Sequence, residues 1–315
     1  MDKRIIFAGT PDFASIHLQA LLDAGIKPIA VYTQPDRPAG RGHKLCPSPV
    51  KALALEHGID VYTPLNFKDE NDIKTFEDLN ADLCIVVAYG ILLPQRIIDA
   101  PKCGCINVHG SILPKYRGAA PIQRSLLDGD QETGVSIMKV GLKLDAGDVF
   151  KIATLKIDDT DTSGTLFDRL ATLGAKTLIE VLPSILDGTA VATPQDESLV
   201  TYAKKISKDE SPINFNQDSK IVDRTIRGLS PWPVATTTLN DVKYKVFMSK
   251  VSDVDNEGRT PGCIVSIDKE GINVACSTGC VKLITIQAPG KGQVKASDLA
   301  RSRKEEFSVG TQFGR

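Results

Sequence analysis

The chain of 315 residues is 42% hydrophobic and 24% charged with a formal net charge of -1, which excludes a disordered or membrane-embedded class and leaves room for about two domains. The opening MDKRIIFAGTPDF has two basic residues, but its apolar run is broken at Gly9 and Pro11, so it does not read as a signal peptide; no stretch approaches the ~18 uncharged apolar residues of a membrane span. Seven cysteines, an odd number, argue for buried thiols in a reducing compartment, and the expectation is a monomeric cytoplasmic protein.

RIIFAGT (4–10) reads as a strand ending in Gly, followed by Pro11 at a first helical position and apolar residues at Phe13, Ile16, Leu18, Leu21 and Leu22. The pattern repeats with a strand at 26–33, a helix at 47–58 opened by prolines and closed by Gly58, a strand at 59–64 and a fully apolar strand at 81–90. Strands alternating with helices imply a mostly parallel sheet covered on both faces, with ligands beyond the carboxyl ends of its strands. Pro11 and Ala14 stand where G-x-G-x-x-G needs glycine, so a dinucleotide cofactor does not fit the first turn.

Further along come a helix near 122–130, strands at 133–140 and 150–157, and a long helix at 163–186 that Ser163 can cap. Polar residues from Asp187 to Glu210 suggest a linker, after which short β-like runs imply a small antiparallel barrel or sandwich. Trp232, between two prolines, is expected to fill the seam where that second domain begins. Residues 201–315 carry 18 Lys+Arg against 13 Asp+Glu, and the rest 20 against 26, so the second half is the one suited to a polyanion.

The chemistry concentrates in INVHGSILPKYRGAAPIQ (106–123). Strand periodicity puts Asn107 and His109 on one side and Ile106 and Val108 on the other, with a Gly and Pro loop following. Asp145 or Asp148, in the loop VGLKLDAGD, can supply a carboxylate to the imidazole. An amide and a charged imidazole are convergent donors for a developing oxyanion; no acyl-enzyme nucleophile or metal-ligand spacing is evident, so the set suits direct acyl transfer between two bound substrates.

The loop TQPDRPAGRGHKLCPSPVK (33–51) holds Arg37, Arg41, Lys44 and Lys51 against Asp36 alone. Its prolines and glycines predict an irregular exposed loop near the ligand edge, with Arg41 and Lys44 suited to phosphates.

FAGTPDFA, the 33–51 loop, VVAYG, CINVHGSILPKYRGAAPIQRS, GLKLDAGD (a variant of GLDAGD), DTSGTL and PWP together resemble the bacterial methionyl-tRNA formyltransferases over essentially the whole chain. Asn-x-His followed by Ser-x-Leu-Pro is shared by a wider class using 10-formyltetrahydrofolate, whereas the Arg-Gly-Ala-Ala-Pro-Ile-Gln run and the basic loop are more specific. The resemblance implies an α/β protein: a Rossmann-like formyltransferase domain over 1–189, a linker at 190–206 and an OB-like β-barrel binding tRNA over 207–315. It implies Asn107, His109 and Asp145 as the catalytic set, folate contacts at Ser111, Ile112, Leu113, Pro114, Val87, Tyr89 and Gly90, and tRNA contacts at Arg37, Arg41 and Lys44. The implied reaction moves the formyl group of 10-formyltetrahydrofolate to the amino group of initiator methionyl-tRNA, without a metal. The rivals are a formyltransferase acting on a nucleotide-linked amino sugar and a catalytically silent tRNA-binding protein.

Overall fold

The structure, a computed structural model, describes residues 3–39 and 44–314, with the side chains at 39 and 44 outside that description. The chain forms two compact units, one of residues 1–121, 133–155 and 167–203, the other of 122–132, 156–166 and 204–315.

In the first unit β1 (Ile5–Gly9) leads into helix α1 (Asp12–Asp23), and β2 (Ala30–Tyr32) pairs in parallel with β1. The segment expected to be irregular instead contains β3 (Arg37–Ala39) and β4 (Lys44–Cys46), an antiparallel ribbon in which Pro38 stands opposite Leu45. A two-stranded ribbon has only edge strands, so the missing N–H of a proline is tolerated there. Helix α2 (Pro49–Glu56) starts where the Ser48 side chain accepts the Lys51 amide, with Pro49 at its first position. After β5 (Asp60–Tyr62), helix α3 (Glu70–Asp78) is capped by Asp69 and buries only Ile73 and Phe76, one turn apart.

Strand β6 (Leu83–Val87) lies parallel to β1, and past helix α4 (Gln95–Asp99) β7 (Cys105–His109) lies parallel to β6. Beyond β8 (Arg117–Gly118) the chain passes through α5 (Pro121–Asp128), which belongs to the second unit from Ile122 on, and back in the first unit β9 (Glu132–Lys139) runs antiparallel to β7 and β10 (Val149–Lys156) takes the edge. The order β10-β9-β7-β6-β1-β2-β5 is a seven-stranded, mostly parallel sheet whose central strands are buried on both faces. One core cluster joins Ile6, Tyr32, Phe67, Phe76, Cys84, Tyr89 and Cys105. Helix α6 (Ser163–Leu186) matches the expected 163–186, and β11 (Tyr202–Ala203) pairs in parallel with β8.

In the second unit helix α7 (Ser219–Gly228) precedes a six-stranded antiparallel sheet of β12 (Ala235–Leu239), β13 (Val242–Ser252), β14 (Ile264–Ile267), β15 (Ile272–Ala275), β16 (Cys280–Gln287) and β17 (Gln293–Lys295), with α8 (Ala296–Ser302) after it. Asn240 and Asp241, both at positive φ, turn β12 into β13 as a two-residue hairpin requires. Phe215, Tyr244, Phe307 and Phe313 make the aromatic contacts of this unit. Trp232 does not fill a seam: those rings occupy the interior, and Trp232 is 47% exposed. Of the cysteines, Cys84, Cys105, Cys263, Cys276 and Cys280 are buried, but Cys46 on the ribbon is exposed. Among the described residues no helix is long and apolar enough to cross a membrane.

Candidate active site

Register brings the expected groups to one edge of the sheet. Asn107 sits between Val86 of β6 and Met138 of β9, and His109, at the end of β7, stands opposite Ser136. With period-two alternation the two side chains share a face, while Val108 lies toward helix α6, where its Cγ1 would be 3.2 Å from a Cβ at Gly174. The loop after β6 therefore begins beside Asn107.

The His109 imidazole is buried, and its Nε2 lies 2.9 Å from the Tyr116 carbonyl. A carbonyl only accepts, so Nε2 carries a proton and it is Nδ1 that faces Asp145. Nδ1 stands 3.7 Å from Asp145 Oδ2, an ion-pair distance rather than a hydrogen bond. That oxygen also accepts the Gly118 amide at 2.8 Å. Asp148, the other candidate, turns to the surface and pairs with Lys139 at 3.4 Å.

Two glycines permit this approach. Gly118 has φ +121, and a Cβ there would come within 2.8 Å of the Ala203 carbonyl on β11. Gly147, two residues past Asp145, lies against the Lys139 backbone with no space for a Cβ. Asp145 itself adopts φ +47, a left-handed conformation that Asp tolerates better than most residues.

The loop after β7 is fixed by two hydroxyls. Ser111 Oγ donates to the Lys115 carbonyl at 2.6 Å; Ser136 Oγ donates to the Ser111 carbonyl at 2.7 Å and accepts the Leu113 amide at 3.1 Å. Leu113 packs with Met138 and Val149, leaving Ile112 and Pro114 partly exposed. In the loop after β6, Val87 and Tyr89 are buried side chains, and burial pushes the Tyr89 phenol up from its ordinary value. What this loop offers a ligand is its main chain, turned at Ala88 (φ 46) and Gly90 (φ 79). The Tyr89 carbonyl accepts from Thr10 Oγ1 and from Gln34 Nε2, each at 2.9 Å.

Arg37 Nη2 donates to Gln34 Oε1, tying the basic ribbon to that same loop. Lys44 begins β4, while Arg41 lies outside the described residues, as does His43. Sequence reasoning missed Gln195, whose Nε2 donates to the carbonyls of Asp145 (2.9 Å) and Gly147 (2.7 Å). It also missed Arg117, which donates through Nε and Nη2 to Gln195 Oε1 at 3.1 and 2.9 Å. Among the described residues no group of three or more His, Cys, Asp or Glu is placed to hold a metal ion.

His109 and Asp145 thus face one another, with Asn107 two residues upstream on the same face of β7; an amide, an imidazole and a carboxylate are groups suited to stabilising an oxyanion and relaying a proton. The sequence matches the formyl transferase description over residues 3–182 and the formyl transferase C-terminal domain description over residues 205–304. The chain belongs to the formyl transferase family. Among solved structures it is similar to the N-formyltransferase from Helicobacter canadensis in complex with folinic acid and dTDP-3-aminofucose, with TM-score 0.67, 18% identity and 91% of this chain and 98% of that chain covered. The sugar 3N-formyl transferase WlaRD, in the presence of dTDP and 5-N-formyl-THF, gives TM-score 0.65 and 17% identity, covering 93% and 100%. HypX from Aquifex aeolicus, in complex with tetrahydrofolic acid, gives 0.62 and 17%, covering 97% of this chain and 47% of that chain, so this chain spans about half the length of HypX. At such identities these likenesses describe the fold.

Proposed function

We propose that this formyltransferase moves a formyl group from 10-formyltetrahydrofolate to the α-amino group of methionine on initiator tRNA. The observation that carries the chemistry is the meeting of His109 Nδ1 and Asp145 Oδ2 at 3.7 Å, with Asn107 two residues upstream on the same face of β7. The tRNA assignment is supported by the basic composition of residues 33–51 and by the Arg-Gly-Ala-Ala-Pro-Ile-Gln run.

The pterin of the donor lies against the main chain of 86–90, because the side chains of Val87 and Tyr89 are turned into the core. Ile112 and Pro114 supply the accessible apolar contacts from the loop that Ser111 and Leu113 anchor. The neutral amine attacks the formyl carbon, and the oxyanion of the tetrahedral intermediate is held by the Asn107 amide and by the Nδ1–H of protonated His109. Asp145 orients that imidazolium and takes the amine's proton through water. Breakage of the bond to N10 then restores the carbonyl, and N10 regains a proton. Arg37, Arg41 and Lys44 hold phosphates of the acceptor end, and residues 207–315 contact the tRNA body.

Labelled formyl transfer to charged initiator tRNA is the test, with charged elongator tRNA, a free amine and a nucleotide-linked amino sugar as parallel acceptors. Transfer to the initiator alone is the expected result. Preference for the amino sugar overturns the tRNA assignment, and binding of charged tRNA without release of tetrahydrofolate overturns catalysis.

A further inference from the structure

Asp145 holds a left-handed backbone in a loop with little to hold it. The preceding residues Leu142 and Leu144 are 71% and 58% exposed, and a Cβ at Gly141 would meet nothing within 4 Å. Apolar packing does not fix the carboxylate opposite His109.

One side chain from a distant part of the chain does what packing does not. The Gln195 amide donates to the carbonyls on either side of Ala146, at 2.9 Å to Asp145 and 2.7 Å to Gly147, and so sets the curvature of the turn. Its Oε1 accepts twice from Arg117, which is 3% exposed and whose Nη2 also bonds Glu197 Oε1 at 2.8 Å. Arg117 adjoins Gly118, and the Gly118 amide holds Asp145 Oδ2. The contacts close a ring that runs from the Asp145 carboxylate through Gly118, Arg117 and Gln195 back to the Asp145 carbonyl. Two donors and two lone pairs are the full hydrogen-bonding capacity of a primary amide pointed at these partners, and no other neutral side chain of this size reproduces it.

We propose that Gln195 is a positioning residue for formyl transfer, holding the Asp145 turn so that its carboxylate faces His109 Nδ1. The proposal rests on Asp145 acting in the reaction, as read above. Displacing a reacting group by about 1 Å costs on the order of 10²-fold in rate, so the effect belongs in the chemical step and not in binding.

Single-turnover transfer from 10-formyltetrahydrofolate to charged initiator tRNA tests it in Gln195→Glu and Gln195→Met. The first keeps an acceptor for Arg117 and loses both donors; the second loses all four bonds. We expect both to fold, to transfer about 10²-fold more slowly, and to keep the KM of donor and acceptor within about threefold of wild type. Glu197→Gln, altered at a carboxylate that is 74% exposed, stays near the wild-type rate. A folded Gln195 variant with a wild-type rate overturns the proposal, as does a rise in KM that accounts for the loss; failure of both variants to fold assigns Gln195 to stability alone. Asp145→Asn separates the premises: if it transfers at the wild-type rate, the catalytic reading itself is wrong, whereas a slow Asp145→Asn beside fast Gln195 variants removes this inference only.

Discussion

His109 and Asp145 face one another across 3.7 Å, the imidazole committed through Nε2 to the Tyr116 carbonyl and the carboxylate committed through Oδ2 to the Gly118 amide. Each is oriented by main chain before any substrate arrives. Groups that act as a unit lose function together, so His109→Ala, Asp145→Asn and the double variant should show nearly the same kcat/KM. Steady-state kinetics on the three proteins decides it, and losses that multiply in the double variant would show the two acting independently.

Asn107 shares the face of β7 but lacks the enclosure of His109, being only partly buried. If its amide meets charge that exists only in the tetrahedral species, Asn107→Ala should slow single-turnover transfer by about 10²–10³-fold and leave donor affinity unchanged. Retention of the wild-type rate removes Asn107 from the oxyanion site.

The basic ribbon permits a sharper comparison. Arg37 bonds Gln34, which in turn bonds the Tyr89 carbonyl in the loop assigned to the pterin. Arg37→Ala should therefore raise the KM of both substrates, and Arg41→Ala that of the tRNA only. The salt dependence of tRNA binding should flatten in both. An equal loss of donor and tRNA binding in Arg41→Ala would indicate misfolding.

His17 lies wholly buried in α1, with Nδ1 2.7 Å from the Phe13 carbonyl and Nε2 against Gly174 of α6. Burial lowers its pKa to about 4 from the ordinary 6.5, against the smaller raising effect of the Phe13 bond. The unfolded chain takes up this proton first, so the stability the neutral ring contributes is whole above pH ~6.5 and is lost as pH falls toward 4, on the order of 3 kcal/mol in all. Urea midpoints should fall across that window in the wild type and fall less in His17→Leu; parallel curves would exclude His17 as the source.

In the second unit the buried Arg227 donates to Asp223 at 2.8 Å and to the Asp161 carbonyl at 2.7 Å, while Ser249 donates to the other Asp223 oxygen at 2.7 Å. Arg227→Met leaves a buried carboxylate with one hydroxyl partner and should cost about 3–5 kcal/mol. Arg227→Met/Asp223→Leu should recover part of that loss by urea denaturation, and a double variant no more stable than the single contradicts the argument.

The parts of the fold legible in the sequence were those with a strong local period. Helix α6 has leucines at helical spacing over 24 residues, and Asn107 and His109 could be put on one face because a strand alternates every second residue. The β3–β4 ribbon was hidden by its prolines and glycines, which mark irregular chain except where strands have no inner neighbour. Trp232 misled because its bulk suggests burial, while Tyr244, Phe307 and Phe313 supply the interior rings. Spacing left both Asp145 and Asp148 open as partners of the imidazole and the family resemblance favoured Asp145; it is Asp145 that lies 3.7 Å from His109, while Asp148 pairs with Lys139. Gln195 left no trace at all: it lies in a polar stretch, and its significance comes from bonds to residues 50 and 78 positions away.

The two-residue strand β11 has a practical consequence for anyone dissecting the molecule. A polypeptide cut just after residue 189 would retain Asn107, His109 and Asp145 in its sequence yet forfeit both Gln195 and the neighbour of Arg117 and Gly118 on β8. Owning these three side chains and being able to hold the Asp145 turn are separable properties here, and a useful truncation must reach past Ala203 to preserve both.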